Sequence, residues 1–231
     1  MQTIILAGGL AMRLRPITEK IPKARIEING IPFIDYQLNY LKKQGITNVV
    51  LCTGFLAEQI VDYVGNGSRY GLKVLYSNDG EKLLGTGGAI KNAATFLDDD
   101  FFILYGDSFL PIEFIPIYNK FKLNNLPALM TILENNNQWD KSNVIFDGKQ
   151  INLYDKKNFS DKMNYIDYGL SICKKDIFTK MTYNIFDLAE IFTSLSKENQ
   201  LDFYEVNQRF YEIGSQQGIE DFSNFALKQL L

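Results

Sequence analysis

Thr3-Ile4-Ile5-Leu6-Ala7 runs into Gly8-Gly9-Leu10-Ala11-Met12-Arg13-Leu14-Arg15-Pro16, and Pro22-Lys23 follows shortly after. Five residues without a charge, closing on two glycines, read as a buried strand that empties into a loop. Glycine lets backbone N–H groups come close to an anion, and a cation on a short tether behind them neutralises what the loop alone only cradles. Leu6, Ala7, Gly8 and Gly9 are therefore candidates for holding a phosphate chain, with Arg13 and Lys23 as its counter-charges. The spacing matches neither the GxxxxGK[ST] phosphate loop nor the GxGxxG dinucleotide turn.

Outward from this stretch, strand and helix signals alternate. Pro32-Phe33-Ile34-Asp35 opens a helix with Ile34, Leu38 and Leu41 on one face and Gly45 beyond its end. Asn48 to Thr53 reads as a strand, Leu56 to Val64 as a short amphipathic helix, and Lys73 to Ser77 as a third strand. Leu84-Gly85-Thr86-Gly87-Gly88-Ala89 then opens a helix expected to reach Leu97, and Phe101 to Tyr105 is a fourth strand that delivers Gly106-Asp107 at its carboxyl end. This alternation predicts a doubly wound, Rossmann-like α/β fold with a mostly parallel, mixed sheet, whose ligands sit at the carboxyl ends of the strands. From Ala128 the pattern changes to strands linked by turns, at Ala128–Leu133, Asn143–Phe146, Gln150–Tyr154 and Tyr165–Cys173, which predicts an antiparallel portion closing over the crevice. Phe186 to Ser196 reads as a helix, Phe203 to Ile213 as a hairpin and Gln216 to Leu231 as a final amphipathic helix. One domain over 1–231 is expected, with a nucleotide-binding half of about 1–125 and a second half of about 126–231.

Composition narrows the chemistry. The 231 residues are 46% hydrophobic and 22% charged, ordinary for a globular chain. No apolar run reaches the roughly 18 residues a spanning helix needs, and the N-terminal run is too short for a signal peptide, so a cytoplasmic protein with no membrane partner is expected. A net charge of −3 provides no basic surface for nucleic acid. Cys52 and Cys173 lie in apolar strand-like runs and read as inert core thiols. There is no histidine, which removes Ser-His-Asp, Cys-His and most zinc chemistry. Catalysis has to run on Lys, Arg, carboxylates and a metal held by oxygen.

The opening GGLAMRLRPIT with IPKA, the LGTGGA junction, the strand-terminal YGD and the late YEIGS resemble, in order and approximate spacing, the sugar-phosphate nucleotidyltransferases, and among them the heptose and hexose 1-phosphate guanylyltransferases. The resemblance spans essentially the whole chain. It implies the nucleotide-diphospho-sugar transferase type of fold with a sugar-binding antiparallel portion, and a reaction in which an NTP and a sugar 1-phosphate give an NDP-sugar and pyrophosphate. It further implies that Arg13 faces the departing pyrophosphate and Lys23 the α-phosphate, that Asp107 and Glu212 hold Mg2+, and that Gly85 and Thr86 line base and ribose. Asp155-Lys156 stands for the family's Glu-Lys pair that grips the sugar phosphate, and Asp167 and Gly169 fall in the stretch that reads sugar hydroxyls. Simpler roles compete: Asp107 as a helix cap, Glu212 as a solvated edge charge, Lys156 as a surface lysine.

The chain departs from the family pattern at several points. Ala11-Met12 replaces Gly-Thr in the loop, Glu212 replaces an aspartate, Asp167 replaces an asparagine, and Lys141-Ser142 falls where Tyr-Gly is common. The glutamine that reads a pyrimidine in uridylyl and thymidylyl members is missing from Gly80-Glu81-Lys82-Leu83-Leu84. A carboxylate such as Glu81 accepts from guanine N1 and N2, which favours GTP; the cytosine amino group is an alternative donor, which keeps CTP open. A cytidylyltransferase acting on a non-sugar phosphate, a glycosyltransferase of the same fold and a nucleotide-sensing subunit are the competing readings, the second weakened because Asp107-Ser108-Phe109 lacks an Asp-x-Asp metal pair. Self-association into a homo-oligomer stays open.

Overall fold

The computed structural model describes residues 1–80 and 82–230. In chain order they form β1 (Gln2–Leu6), the small ribbon β2 (Glu27–Ile28) and β3 (Ile31–Pro32), α1 (Phe33–Lys43), β4 (Asn48–Thr53), α2 (Ala57–Val64), β5 (Lys73–Asn78) and α3 (Gly85–Asn92). There follow β6 (Asp100–Tyr105), β7 (Ser108–Phe109), α4 (Phe114–Asn124), β8 (Ala128–Glu134), β9 (Val144–Phe146), β10 (Ile151–Tyr154) and β11 (Tyr165–Lys174). The last elements are α5 (Asp176–Thr179), α6 (Leu188–Lys197), β12 (Leu201–Val206), β13 (Tyr211–Glu212) and α7 (Gln216–Gln229).

The opening strand is the centre of the sheet. β1 pairs in parallel with β4 on one side and β6 on the other, and β5 pairs in parallel beyond β4. A strand covered on both faces has no solvent side, which explains its unbroken apolar sequence. Alternate residues then separate into two cores, as the two-residue pleat requires. Ile5, Val49, Leu51, Phe102 and Leu104 pack under α1, α2 and α4 through Ile34, Leu38, Ile60, Phe114 and Ile117. Ile4, Val50, Cys52, Phe101 and Ile103 pack on the opposite face against Ala89, Ile90, Phe178, Leu188 and Phe192 of α3, α5 and α6. The layering is helix, sheet, helix, with the carboxyl ends of β1, β4, β5 and β6 at one edge.

The second half joins the same sheet. β11, ten residues long, lies antiparallel to β6 through Leu170–Lys174 and antiparallel to β8 along both its ends, with a register break between Asp167 and Ser171. β9 and β10 continue outward from β11, and β12 adds to β8 in parallel. A third apolar cluster forms where Phe222 of α7 meets the rings of Phe33, Tyr36 and Phe109 edge-on or tilted at centroid distances of 5.1–5.2 Å.

Three sequence expectations need correction. Phe203 to Ile213 is no hairpin: β12 follows α6 and runs parallel to β8, whereas β13 leaves to pair antiparallel with β7, whose Ser108 and Phe109 lie far back in the chain and leave no local periodicity. The helix after Gly85 stops at Asn92, and only a single 3-10 turn, Ala94–Phe96, follows. A helix that no local signal marked, α4, packs on the sheet face over β6, with Phe114 against Phe102; its apolar residues run all round, so Leu123 is left 83% exposed and the 3.6-residue pattern is blurred.

The glycines of LGTGGA explain why α3 sits where it does. A Cβ on Gly88 falls 2.2 Å from the Asn184 carbonyl oxygen, and Gly87 and Gly88 N–H groups donate to the Phe186 carbonyl. The motif therefore lets the segment before α6 lie directly on α3. Gly88→Ala is expected to lower stability by about 1–3 kcal/mol through overpacking, read as a shift of the urea midpoint; a wild-type midpoint contradicts this packing role.

Candidate active site

The carboxyl ends of β1 and β6 bring the opening loop and the Gly106-Asp107 turn side by side: Gly106 N–H donates to the Leu6 carbonyl at 2.9 Å, and Ala7 N–H donates to Cys52 across the other neighbour. Between them opens a cavity of about 270 Å³ lined by Leu6, Ala7, Gly8, Gly9, Lys23, Gly85, Thr86 and Asp107 among others. Eight residues that the sequence marked for nucleotide and chemistry thus share one space. A Cβ on Gly9 meets nothing within 4 Å, so that face of the loop is open to a ligand. The loop's shape is set by Ala11 in the left-handed region at φ 48° and by Thr18, whose hydroxyl donates to the Ala11 carbonyl.

The polar centre is Lys23, whose Nζ donates to Asp107 Oδ2 at 2.8 Å, with 23% and 30% of the two side chains exposed. Asp107 follows β6 in a turn that leads into β7 and caps no helix. That turn is pinned from below by the buried Gln37 of α1, whose Nε2 donates both to the Tyr105 carbonyl (2.9 Å) and to the Ser108 carbonyl (2.7 Å). Glu212 reaches the same place because β13 pairs with β7, Glu212 opposite Ser108, and Ile213 N–H donates to the Asp107 carbonyl. Its side chain keeps solvent contact, yet desolvation by surrounding protein, then the charges of Asp107 and Asp140, push its carboxyl up to about 7. Two carboxylates close enough to feel each other, beside a space for phosphates, are a donor set that suits Mg2+, which takes one or two carboxylates and completes its shell with water and substrate oxygens. Among the described residues no group of three or more His, Cys, Asp or Glu offers a self-sufficient metal cage. A Cβ on Gly214 points between Asp107 Oδ2 (3.8 Å) and Lys23 Nζ (3.9 Å).

The sugar-side candidates form a second group behind Tyr105. Lys156 Nζ lies 3.7 Å from Asp167 Oδ2 and 5.3 Å from the centroid of the Tyr105 ring, which itself lines the cavity. Desolvation opposes the charge of Lys156, but Tyr105, Asp167 and Tyr154 together raise its pKa. Asp167 has only 2% of its side chain exposed; Oδ1 accepts from Gly169 N–H at 3.0 Å and Oδ2 from Tyr154 at 3.4 Å, while its own N–H donates to Asn143 Oδ1. Gly169, at φ +102°, is the residue that lets β11 bulge around this carboxylate.

Other candidates stand apart. Arg13 is exposed on a 3-10 turn and does not line the cavity. Asp155 closes its own turn, accepting from Lys157 N–H, Asn158 N–H and Asn158 Nδ2, which lowers its pKa. Glu81 lies outside the described residues. Cys52 and Cys173 are buried and free, with thiols raised by burial, though Cys52 also contributes to the apolar wall of the cavity. Sequence reasoning missed Gln37, Asp79, Tyr105 and Asp187. The last three line the cavity; Asp79 directly follows β5 at the same sheet edge as Asp107, a placement the strand-end rule could have flagged.

The fold is of the nucleotide-diphospho-sugar transferase type, with its cavity at the carboxyl ends of the parallel strands, where this class of sheet takes ligands. The chain belongs to the nucleotidyl transferase family, whose pattern it matches over residues 2–218. It is 35% identical over 193 residues to the D-glycero-alpha-D-manno-heptose 1-phosphate guanylyltransferase of Campylobacter jejuni, covering 84% of this chain and 82% of that protein. It is also 35% identical over 183 residues to the enzyme of the same name from Aneurinibacillus thermoaerophilus, covering 77% and 76%. In three dimensions it is similar to HddC from Yersinia pseudotuberculosis complexed with GMP-PN, with a TM-score of 0.79, 24% identity and coverage of 97% of this chain and 98% of that one.

Gln37→Met keeps the side chain's length but leaves the Tyr105 and Ser108 carbonyls without their buried donors. A loss of about 1–3 kcal/mol is expected, read by urea unfolding, together with a lower kcat because the Asp107 turn loses its support; unchanged kcat and stability together contradict the assignment.

Proposed function

We propose that this protein transfers the nucleotidyl group of GTP to a sugar 1-phosphate, with heptose 1-phosphates the first acceptors to try, releasing pyrophosphate in a Mg2+-assisted reaction. The observation that carries this reading is the Lys23–Asp107 ion pair at the mouth of the cavity, beside the open face of Gly9. The guanylyl preference is supported by the two relatives named for that activity.

In this reaction an oxygen of the sugar phosphate attacks the α-phosphorus, the new P–O bond forms, and the bond to the bridging oxygen breaks with its electron pair leaving on pyrophosphate. Two polyanions have to meet, so the site must bring positive charge and fixed donors to the phosphates before chemistry. Backbone N–H groups of the Gly8-Gly9 loop are the donors for the triphosphate. Lys23, released from Asp107, neutralises charge on the α-phosphate, and Lys156 is placed behind Tyr105 to hold the incoming sugar phosphate. Asp107 and Glu212 are the residues that would hold Mg2+, which when bound adds charge neutralisation and alignment of the phosphate oxygens. The nucleophile is already ionised at neutral pH, so no general base is needed and the absence of histidine costs nothing.

The test is a pyrophosphate-release assay crossing the four NTPs with hexose, heptose and amino-sugar 1-phosphates. GTP with a sugar 1-phosphate should give the highest kcat/KM, and no turnover with any pair would sink the reading. Lys23→Ala and Asp107→Asn are each expected to lower kcat by about two orders of magnitude; a near-normal rate in either removes that residue from the chemistry. Gly214→Ala, which adds a methyl to the space between those two side chains without meeting backbone, is expected to keep the melting temperature and lower kcat at least about tenfold. Wild-type turnover in that variant would place the reacting phosphates elsewhere.

A further inference from the structure

Lys23 bears the charge at the centre of the proposed reaction, yet no strand of the main sheet carries it. It opens a 3-10 turn, Lys23–Arg25, that follows two other 3-10 turns and precedes the two-residue strands β2 and β3. The turn closes on Arg25 N–H to the Pro22 carbonyl at 2.8 Å and Ile26 N–H to the Lys23 carbonyl at 3.0 Å. So short a 3-10 piece is a weak platform by itself. The buried Ala24 methyl fixes where the turn sits, but a methyl resists rotation poorly, so the direction in which Lys23 leaves has to be set by other contacts.

α2 grips the chain on both sides of Lys23. Gln59 and Tyr63, four residues apart, share a face of that helix. Gln59 Nε2 donates to the Lys20 carbonyl at 2.9 Å, and beyond Lys23 the guanidinium carbon of Arg25 lies 4.6 Å from the centroid of the Tyr63 ring. Among the described residues no carboxylate pairs with Arg25, and its Nε is buried without a partner. An unpaired buried N–H is costly, and the attraction that holds this cation in place is the face of the ring. The ring is itself fixed from α1: the Tyr63 hydroxyl donates to Asp35 Oδ2 at 2.8 Å, and Arg69, whose guanidinium carbon is 4.2 Å from the same ring, pairs with Asp35 Oδ1 at 3.4 Å. Gln37, two residues along α1, is the side chain that pins the Asp107 turn. Both members of the Lys23–Asp107 pair are thus referred to one helix.

We propose that Arg25 and Tyr63 are positioning residues for Lys23: their stack locks the turn against α2, and Asp35 locks Tyr63 to α1, so that the ammonium is aimed before substrate arrives. The proposal rests on the transfer reading above for what Lys23 does. Neither Arg25 nor Tyr63 lines the cavity, so neither touches the nucleotide and their effect passes through Lys23. Because the contact of Lys23 strengthens as charge moves in the transition state, misaiming it costs kcat more than it costs nucleotide binding.

The test begins with Arg25→Met, which keeps the bulk of the side chain and removes its cation. It is expected to lower kcat about tenfold and to leave the KM for GTP within about twofold. Tyr63→Leu is expected to give the same loss, and the double variant no more than either alone, as two halves of one contact do. In a Lys23→Ala background, Arg25→Met is expected to change kcat by no more than about twofold, while its shift of the urea midpoint is the same in both backgrounds. Without substrate, acetic anhydride labelling of Lys23, followed by peptide mass spectrometry against the other lysines, is expected to rise about threefold in Arg25→Met, the scale of a partly exposed ion pair set free. A wild-type kcat in Arg25→Met, or a tenfold loss that persists without Lys23, overturns the proposal, the second because a merely structural role acts in both backgrounds. If the wild-type protein turns over no sugar 1-phosphate and the labelling of Lys23 still rises in both single variants, the positioning stands and the transfer reading falls; unchanged labelling in that case overturns both.

Discussion

The ion pair between Lys23 and Asp107 joins the segment after the first strand to the end of its neighbour in the sheet. Both side chains are partly exposed, and such a pair adds little to stability, on the order of 0–1 kcal/mol. Its position matters more than its strength. β1 is central and fully covered, β6 is paired to it in register, and Gln37 fixes the turn that carries Asp107. The sheet thus places a cation and a carboxylate in contact at a place the protein does not otherwise fill, where each can exchange its partner for a ligand. In the reaction proposed above, a phosphate would take the ammonium and a divalent cation the carboxylate.

The same placement explains why β13 exists. Two residues, Tyr211 and Glu212, pair with β7 and nothing else, and so short a strand has little stability of its own. It is held by α7, where Ser215 accepts from Gly218 N–H at the helix start and Phe222 packs among Phe33, Tyr36 and Phe109. The aromatic cluster is thus the support for Glu212, and through the Ile213 N–H to the Asp107 carbonyl it supports the whole carboxylate pair. The upward shift of Glu212 reflects first the desolvation this packing imposes and then the nearby negative charges of Asp107 and Asp140.

What could be read from the sequence follows from how local each feature is. β1, β4 and β6 are interior strands built on apolar runs and β5, the edge strand beyond β4, keeps a shorter one, so they and the glycine turn after β1 were legible, as was the gathering of Gly8, Gly9, Lys23, Gly85 and Asp107. The pairing of β13 with β7 was not, because it joins residues about a hundred positions apart and leaves no local period. LGTGGA was legible as a strand-to-helix junction but misleading about cause: Gly87 and Gly88 make room for Asn184 and Phe186, a contact made by a distant segment. Gln37 reads locally as one polar residue on an amphipathic helix, and only the packed structure shows that it is buried with both N–H groups spent on the turn bearing Asp107. Arg13 shows the converse case, since its spacing after the glycines is right while the 3-10 turn that carries it points it to solvent.

Charge is divided among the groups that line the cavity, and that division favours one placement of the ligand. Lys23 pairs with Asp107, while Asp79 and Asp187 also line the cavity and, among the described residues, have no cation paired with them. A triphosphate placed against those two would face carboxylates in a partly dry space, where repulsion is stronger than in water. A base placed beside Lys23 would leave it and Asp107 without phosphate or metal. In the proposed reaction the phosphates therefore belong beside Lys23, the cation that lines the cavity, and this electrostatic preference acts before any base-specific contact is made.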